Sequence, residues 1–160
     1  MTAIGDVDEA NSAIGVAIAA LDPDSPLATK LRTIQNEMFD LGADIATPFG
    51  TDFEEHALRI VARQVSRLEE EIDVMNADLA SLTSFILPGG SAAVANIHLA
   101  RAIVRRAERA GVALAAEQQV SAHALAYINR LSDHLFVAAR WIAARQGGDI
   151  LWQPGATRNS

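Results

Sequence analysis

Residues 25–48 read SPLATKLRTIQNEMFDLGADIATP. Within them Leu27, Leu31, Ile34, Met38, Leu41 and Ile45 follow one another at spacings of four and three. That interval keeps side chains on one face of an α-helix, whereas a half-buried strand alternates every second residue. Ser25 stands where an N-cap belongs and Pro26 at the first helical position. Thr47-Pro48 and Gly50 stop the pattern, because the residue before a proline is driven out of the helical region. The stretch therefore predicts a helix of about 30 Å at 1.5 Å per residue, with one apolar stripe that must be buried against other helices.

Working outward, the same reading repeats. Leu58, Val61, Val65, Leu68, Ile72, Met75 and Leu79 form a second stripe, predicting another helix of similar length. Upstream, a helix is expected over about residues 6–21, with Asp6 and Glu9 at the spacing of a capping box and Pro23 ending it. Residues 81–90 cannot be mid-helix, because Phe85-Ile86-Leu87 runs into Pro88-Gly89-Gly90. Ser91 then caps a helix expected over about 92–112, and a last helix is expected over about 121–145, stopped by Gly147-Gly148. A tail, 149–155, offers Ile150, Leu151 and Trp152 as packing anchors, and the last five residues are expected to fray. No convincing strand, repeat or low-complexity tract is present. Long helices on short loops make antiparallel neighbours, so the expected fold is all-α: a five-helix up-and-down bundle, ferritin-like in architecture. Residues 1–160 are expected to form a single domain with a short tail from 149.

Composition narrows the function classes. Half the residues are apolar and the formal net charge is −7, a poor electrostatic match for nucleic acid or anionic lipid. No segment reaches the roughly 20 uninterrupted apolar residues of a membrane span, and no signal peptide is visible, so the expected location is cytoplasmic. The absence of cysteine excludes disulfides, zinc–thiolate sites and thiol nucleophiles. No Glu-x-x-His pair supports a di-iron bundle, and no metal-ligand set is expected. Gly89-Gly90-Ser91 lacks the G-x-S-x-G of a serine hydrolase and reads as a turn plus cap. Asp133 and His134 are neighbours on different faces, and Met38 and Met75 read as core filler.

The segment around residue 100 carries a second stripe. His98, Arg101, Arg105 and Glu108 share one face, one position after the apolar Ile97, Ala100, Val104 and Ala107. In the last helix Asn129, Asp133, Phe136 and Arg140 run beside the core positions Leu125, Ile128, Leu135 and Ile142. Three readings fit this spacing. One is a solvated face with pairs such as Arg105–Glu108. Another is a subunit interface. The third is an anion site, in which two arginines four residues apart present guanidinium forks to a polyphosphate. His98 reads as a helix histidine satisfied by a neighbour.

Several blocks, taken together, resemble one family. Gly5-Asp6-Val7-Asp8-Glu9-Ala10-Asn11-Ser12 with Ile14-Gly15 is similar to the opening of the trimeric ATP:cob(I)alamin adenosyltransferases. Ile34-Gln35, Phe39-Asp40-Leu41-Gly42-Ala43-Asp44 and Ala46-Thr47-Pro48 resemble its second helix. Phe85-Ile86-Leu87-Pro88-Gly89-Gly90-Ser91 resembles its "F-x-L-P-G-G" loop, and the run from Arg101 to Arg109 its "R-x-x-x-R-R-A-E-R" helix. The run from Tyr127 to Asp133 with Leu135-Phe136, and the tail from Leu151 to Gly155, follow in family order.

The resemblance implies a homotrimer with active sites between subunits, where ATP and cob(I)alamin meet, the cobalt attacks the 5′ carbon and triphosphate leaves. It implies that Arg105 stabilises the departing triphosphate and that Arg101 pairs with Asp8 of a neighbouring subunit. Asn129 would hydrogen-bond the nucleotide, and Phe85 would lie against the lower corrin face and keep cobalt without a lower ligand. Arg106 and Glu108 would support the ATP side, with Mg²⁺ bridging phosphate oxygens. An adenosylcobalamin-dependent client enzyme would take the product. The family's Gly- and Thr-rich phosphate-wrapping stretch precedes the Asp8 block and is not in these 160 residues. The expectation is weak ATP binding and little turnover by this form. The alternative is a non-catalytic trimeric helical protein that binds corrinoid and has lost the ATP segment.

Overall fold

The computed structural model describes residues 2–158. Among them are five α-helices: α1 Thr2–Ala19, α2 Pro26–Ala46, α3 Ala62–Asn76, α4 Ala92–Glu117 and α5 Ala122–Ala144. One 3₁₀ turn, Glu54–His56, lies between α2 and α3. The expected all-α five-helix architecture is what forms.

Cross-helix contacts give the directions. Asn11 Nδ2 donates to the Gln35 carbonyl at 3.1 Å and Gln35 Nε2 to the Asn11 carbonyl at 3.2 Å, so α1 and α2 run antiparallel with Val7 near Gly42. Gly15 completes that crossing, because a Cβ there would come within 3.0 Å of the Gln35 amide. Asp44 with Ile60, Asp40 with Gln64, Glu37 with Arg67 and Lys30 with Glu71 set α3 antiparallel to α2. His98 and Arg101 against Phe136, and Glu108 against Asn129, do the same for α4 and α5. The bundle is up-and-down.

The predicted stripes of α2 and α4 lie in the core. Leu27, Leu31, Ile34, Met38, Leu41 and Ile45 of α2 are all buried, as are Ile97, Ala100, Val104 and Ala107 of α4. Each fully buried aliphatic side chain contributes about 1.5–3 kcal/mol, and alanines on α4 and α5 let the helix axes approach closely. Ser91 and Ser121 cap α4 and α5, accepting from the Val94 and Ala124 amides at 3.3 Å.

Several boundaries differ from expectation, each for a physical reason. The first helix begins four residues before Asp6. Asp6 and Glu9 form no capping box and instead face Arg106 of α4. The third helix has 15 residues, about 22 Å, because Leu58 and Val61 lie outside it and exposed. Asp44, buried on α2, accepts from Arg59 Nη1 at 2.9 Å and from the Ile60 amide at 2.8 Å. That clasp holds residues 57–61 extended and delays the helix. The fourth helix runs five residues past Val112. Ala156 and Arg158 donate into turns closed by Gln153 and Gly155, while residues 159 and 160 lie outside the described chain. A single antiparallel bridge, Ile86 to Leu151, ties the 81–90 connection to the tail.

Candidate active site

The polar stripes of α4 and α5 meet where the two helices pack. At one end, Arg101 and Phe136 join Leu82, Phe85, Trp152 and Pro154 around a cleft of about 670 Å³. The Arg101 guanidinium lies over the Phe136 ring at 5.9 Å, and Phe85 packs against Trp152 with ring centroids 5.9 Å apart. Phe85 is nonetheless 77% exposed. An aromatic turned outward on a loop with few internal contacts presents an apolar platform rather than filling a core.

Arg101 is half-buried, makes no ion pair among the described residues, and its Nε is buried without an acceptor. Burial lowers its pKa, and the neighbouring charge of Arg105 lowers it further. Both effects favour an anion docking there. Arg105, one turn on, is exposed, and no carboxylate among the described residues pairs with it. The Arg105–Glu108 pair of the solvated-face reading does not form, since Glu108 Oε1 accepts from Asn129 Nδ2 at 2.7 Å. Asn129 and Glu108 thus form one unit across the α4/α5 contact.

Two expected site residues lie elsewhere. Arg106 turns to α1, where it pairs with Glu9 and lies 3.9 Å from Asp6. Asp8 is exposed and lines a separate cleft of about 550 Å³ between α1 and α2, beside Phe39, which is 72% exposed. Within one chain Asp8 and Arg101 occupy different clefts, and neither has an ionic partner among the described residues. Among the described residues no group of three or more His, Asp or Glu side chains is placed to hold a metal ion.

His98 departs from the satisfied-histidine expectation. It is buried beside Phe136, edge-on at 6.4 Å, and neither ring nitrogen has a hydrogen-bond partner. Burial and then the Arg101 charge push its pKa below the ordinary imidazole value, with Asp149 opposing. His134, set aside in the sequence as the neighbour of Asp133, pairs through Nε2 with Glu71 at 2.7 Å. Trp152 and Arg140 gain roles that tail anchoring and stripe position alone did not assign. Their partners are far away in sequence, so no local signal marks them.

Comparison with known proteins follows the same lines. A protein-family model described as cobalamin adenosyltransferase matches residues 1–142. A corrinoid adenosyltransferase of Mycobacterium bovis is 46% identical over 162 residues, covering 100% of this chain and 83% of that protein. A corrinoid adenosyltransferase of Bacillus subtilis is 42% identical, covering 95% of this chain and 79% of that one. Among solved structures, a variant PduO-type ATP:corrinoid adenosyltransferase from Lactobacillus reuteri, complexed with cobalamin and ATP, superposes with a TM-score of 0.86 at 38% identity. It covers 94% of this chain and 84% of that one. A cation-lined aromatic cleft on a five-helix bundle and a match over most of its length agree: this chain belongs to the cobalamin adenosyltransferase family.

Proposed function

We infer that this protein transfers the 5′-deoxyadenosyl group of ATP to the cobalt of cob(I)alamin. The cobalt lone pair forms the Co–C5′ bond, the C5′–O bond breaks, and its electron pair leaves on the triphosphate oxygen. The observation that carries the reading is the cleft itself, an unpaired half-buried arginine beside outward-facing aromatics. Cationic donors suit the triphosphate and an apolar platform suits the corrin. Close relatives are named corrinoid adenosyltransferases and the neighbouring structures hold cobalamin and ATP, so the reading as a corrinoid carrier without catalysis is not favoured.

In this reading Arg105 stabilises charge on the departing triphosphate, and Arg101 orders the pocket. Asn129, oriented by Glu108, hydrogen-bonds the nucleotide. Phe85 covers the lower corrin face and keeps a lower ligand off cobalt. Arg106, already engaged with Glu9, acts by holding α1 to α4. Mg²⁺ would enter with the nucleotide and neutralise phosphate charge.

The assembly proposed is a homotrimer with sites between subunits, residues 1–160 forming one domain in each. It is supported by the separation of Asp8 from Arg101 and by the exposed Phe39 beside Asp8. No helix is long and apolar enough to cross a membrane among the described residues. We place the enzyme in the cytoplasm and expect it to supply an adenosylcobalamin-dependent client.

The test is ATP-dependent loss of the cob(I)alamin spectrum. Conversion to adenosylcobalamin is expected. Corrinoid binding without consumption would establish the carrier instead.

A further inference from the structure

Two short segments carry Phe85 and Trp152 of the cleft, and neither is helical. Residues 84–87 and 150–152 hold each other through Leu87 N–H to the Ile150 carbonyl at 2.7 Å and Trp152 N–H to the Phe85 carbonyl at 2.8 Å. Ser84 Oγ adds a donation to the Trp152 carbonyl at 2.9 Å. Phe85, Leu87, Ile150, Leu151 and Trp152 are all exposed, so burial does not fix this strap on the bundle. A two-stranded pairing this short is marginal by itself in water. Its place must come from where it is tied down.

Both ties run to one side chain. Arg140 of α5, 8% exposed, donates from Nη2 to the Ala80 carbonyl at 2.8 Å and from Nε to Asp149 Oδ2 at 3.0 Å. Ala80 lies four residues before the first segment and Asp149 directly before the second. Gly147 and Gly148, both at positive φ, turn the chain back so that Asp149 can reach α5. The other carboxylate oxygen of Asp149 is buried without a partner, so its bond to Arg140 is the contact that compensates the charge. Arg140 also stands one turn after Phe136, which lines the same cleft.

We propose that Arg140 is a positioning residue for corrinoid binding: by holding Ala80 and Asp149 together it fixes the strap that carries Phe85 and Trp152. The proposal rests on the functional reading above, and its test separates the two. Arg140→Gln, Arg140→Lys and Asp149→Asn are made in the full chain. Amide hydrogen exchange without ligand reads the strap directly. Arg140→Gln should speed exchange at Leu87 and Trp152 by about tenfold or more, the loss of a charge-assisted hydrogen bond, while α2 and α4 amides keep their rates. Titration with cob(II)alamin in the presence of ATP should show corrinoid affinity weakened by about tenfold and ATP affinity within about twofold. Arg140→Lys, keeping the charge, should recover part of both effects.

Asp149→Asn changes no helix residue and should reproduce the loss if Arg140→Gln does not fold. Unchanged exchange at Leu87 and Trp152 overturns the latch whatever the wild type binds. Faster exchange with unchanged corrinoid affinity overturns the positioning role. A wild-type chain that protects both amides yet binds no cob(II)alamin sinks the functional reading, and the corrin-facing role with it.

Discussion

The phenol of Tyr127, buried on α5, donates a 2.7 Å hydrogen bond to Glu37 Oε2 on α2, and the same oxygen lies 2.5 Å from Arg67 Nη2 of α3. Three helices meet at one carboxylate oxygen. Burial, and then the Glu37 charge, raise the Tyr127 pKa well above its ordinary value, so the phenol stays a donor. Tyr127→Phe keeps the shape and removes one bond to a charged acceptor. A loss of about 1–3 kcal/mol in denaturant unfolding is expected. Unchanged stability would mean that Arg67 alone satisfies Glu37.

Glu71 titrates against the same network. Burial alone would raise its pKa, but the hydrogen bond and charge of His134 and the charges of Arg67 and Lys30 outweigh burial and hold it at about 2. A depressed folded value means that the stabilisation is present above pH 4.5 and is lost as pH falls towards 2. The upper bound is about 3 kcal/mol. Unfolding free energies measured from pH 6 to pH 2.5 should fall steeply below pH 4.5 in the wild type, and less steeply in Glu71→Gln.

His98 has a lowered pKa and is neutral in the folded state at pH 7. Its contribution to stability is present above the unfolded value near 6.5 and is lost as pH falls through the lowered folded value. An NMR titration of its ring should give a midpoint below 6.5, moving up in Arg101→Gln. A midpoint above 6.5 in the wild type contradicts the burial argument.

Arg105 is exposed and unpaired, so Arg105→Ala should leave the melting temperature nearly unchanged. In an active form its kcat should fall by about 10²–10³, the typical cost of removing a donor aimed at developing charge. Steady-state kinetics with cob(I)alamin and ATP measure this, and an unaltered kcat removes the leaving-group role.

Asp8 and Arg101 offer a test of assembly. Asp8→Ala and Arg101→Ala should each be inactive alone. Co-folded mixtures should regain activity, because some interfaces then combine an intact Asp8 from one subunit with an intact Arg101 from the next. No recovery on mixing argues for a site within one chain.

Most of the bundle was legible because α2, α4 and α5 bury their apolar stripes at the period their sequences carry. The α1 start was misread because Asp6 serves a distant arginine, Arg106, rather than its own helix end. The third helix was overestimated because only Leu68 and Met75 of its stripe are buried. Much of its hold on the bundle is ionic, through Arg67 and Glu71, and apolar periodicity does not register charge pairing across helices. In the candidate site, Phe85 and Arg101 were marked by local motifs and do share a cleft. Arg140 was not, since its acceptors lie 60 and 9 residues away. His98 was set aside because burial without partners leaves no trace in a single sequence.

The ionic docking of α3 has one more result. An apolar stripe slides against another at modest cost, since one aliphatic contact replaces the next. Arg67 and Glu71 sit one turn apart, facing Glu37 on one side and Lys30 with His134 on the other. A slip of one turn in one direction sets carboxylate against carboxylate, and a slip in the other sets guanidinium against ammonium. One-turn slips of α3 along α2 are therefore disfavoured electrostatically.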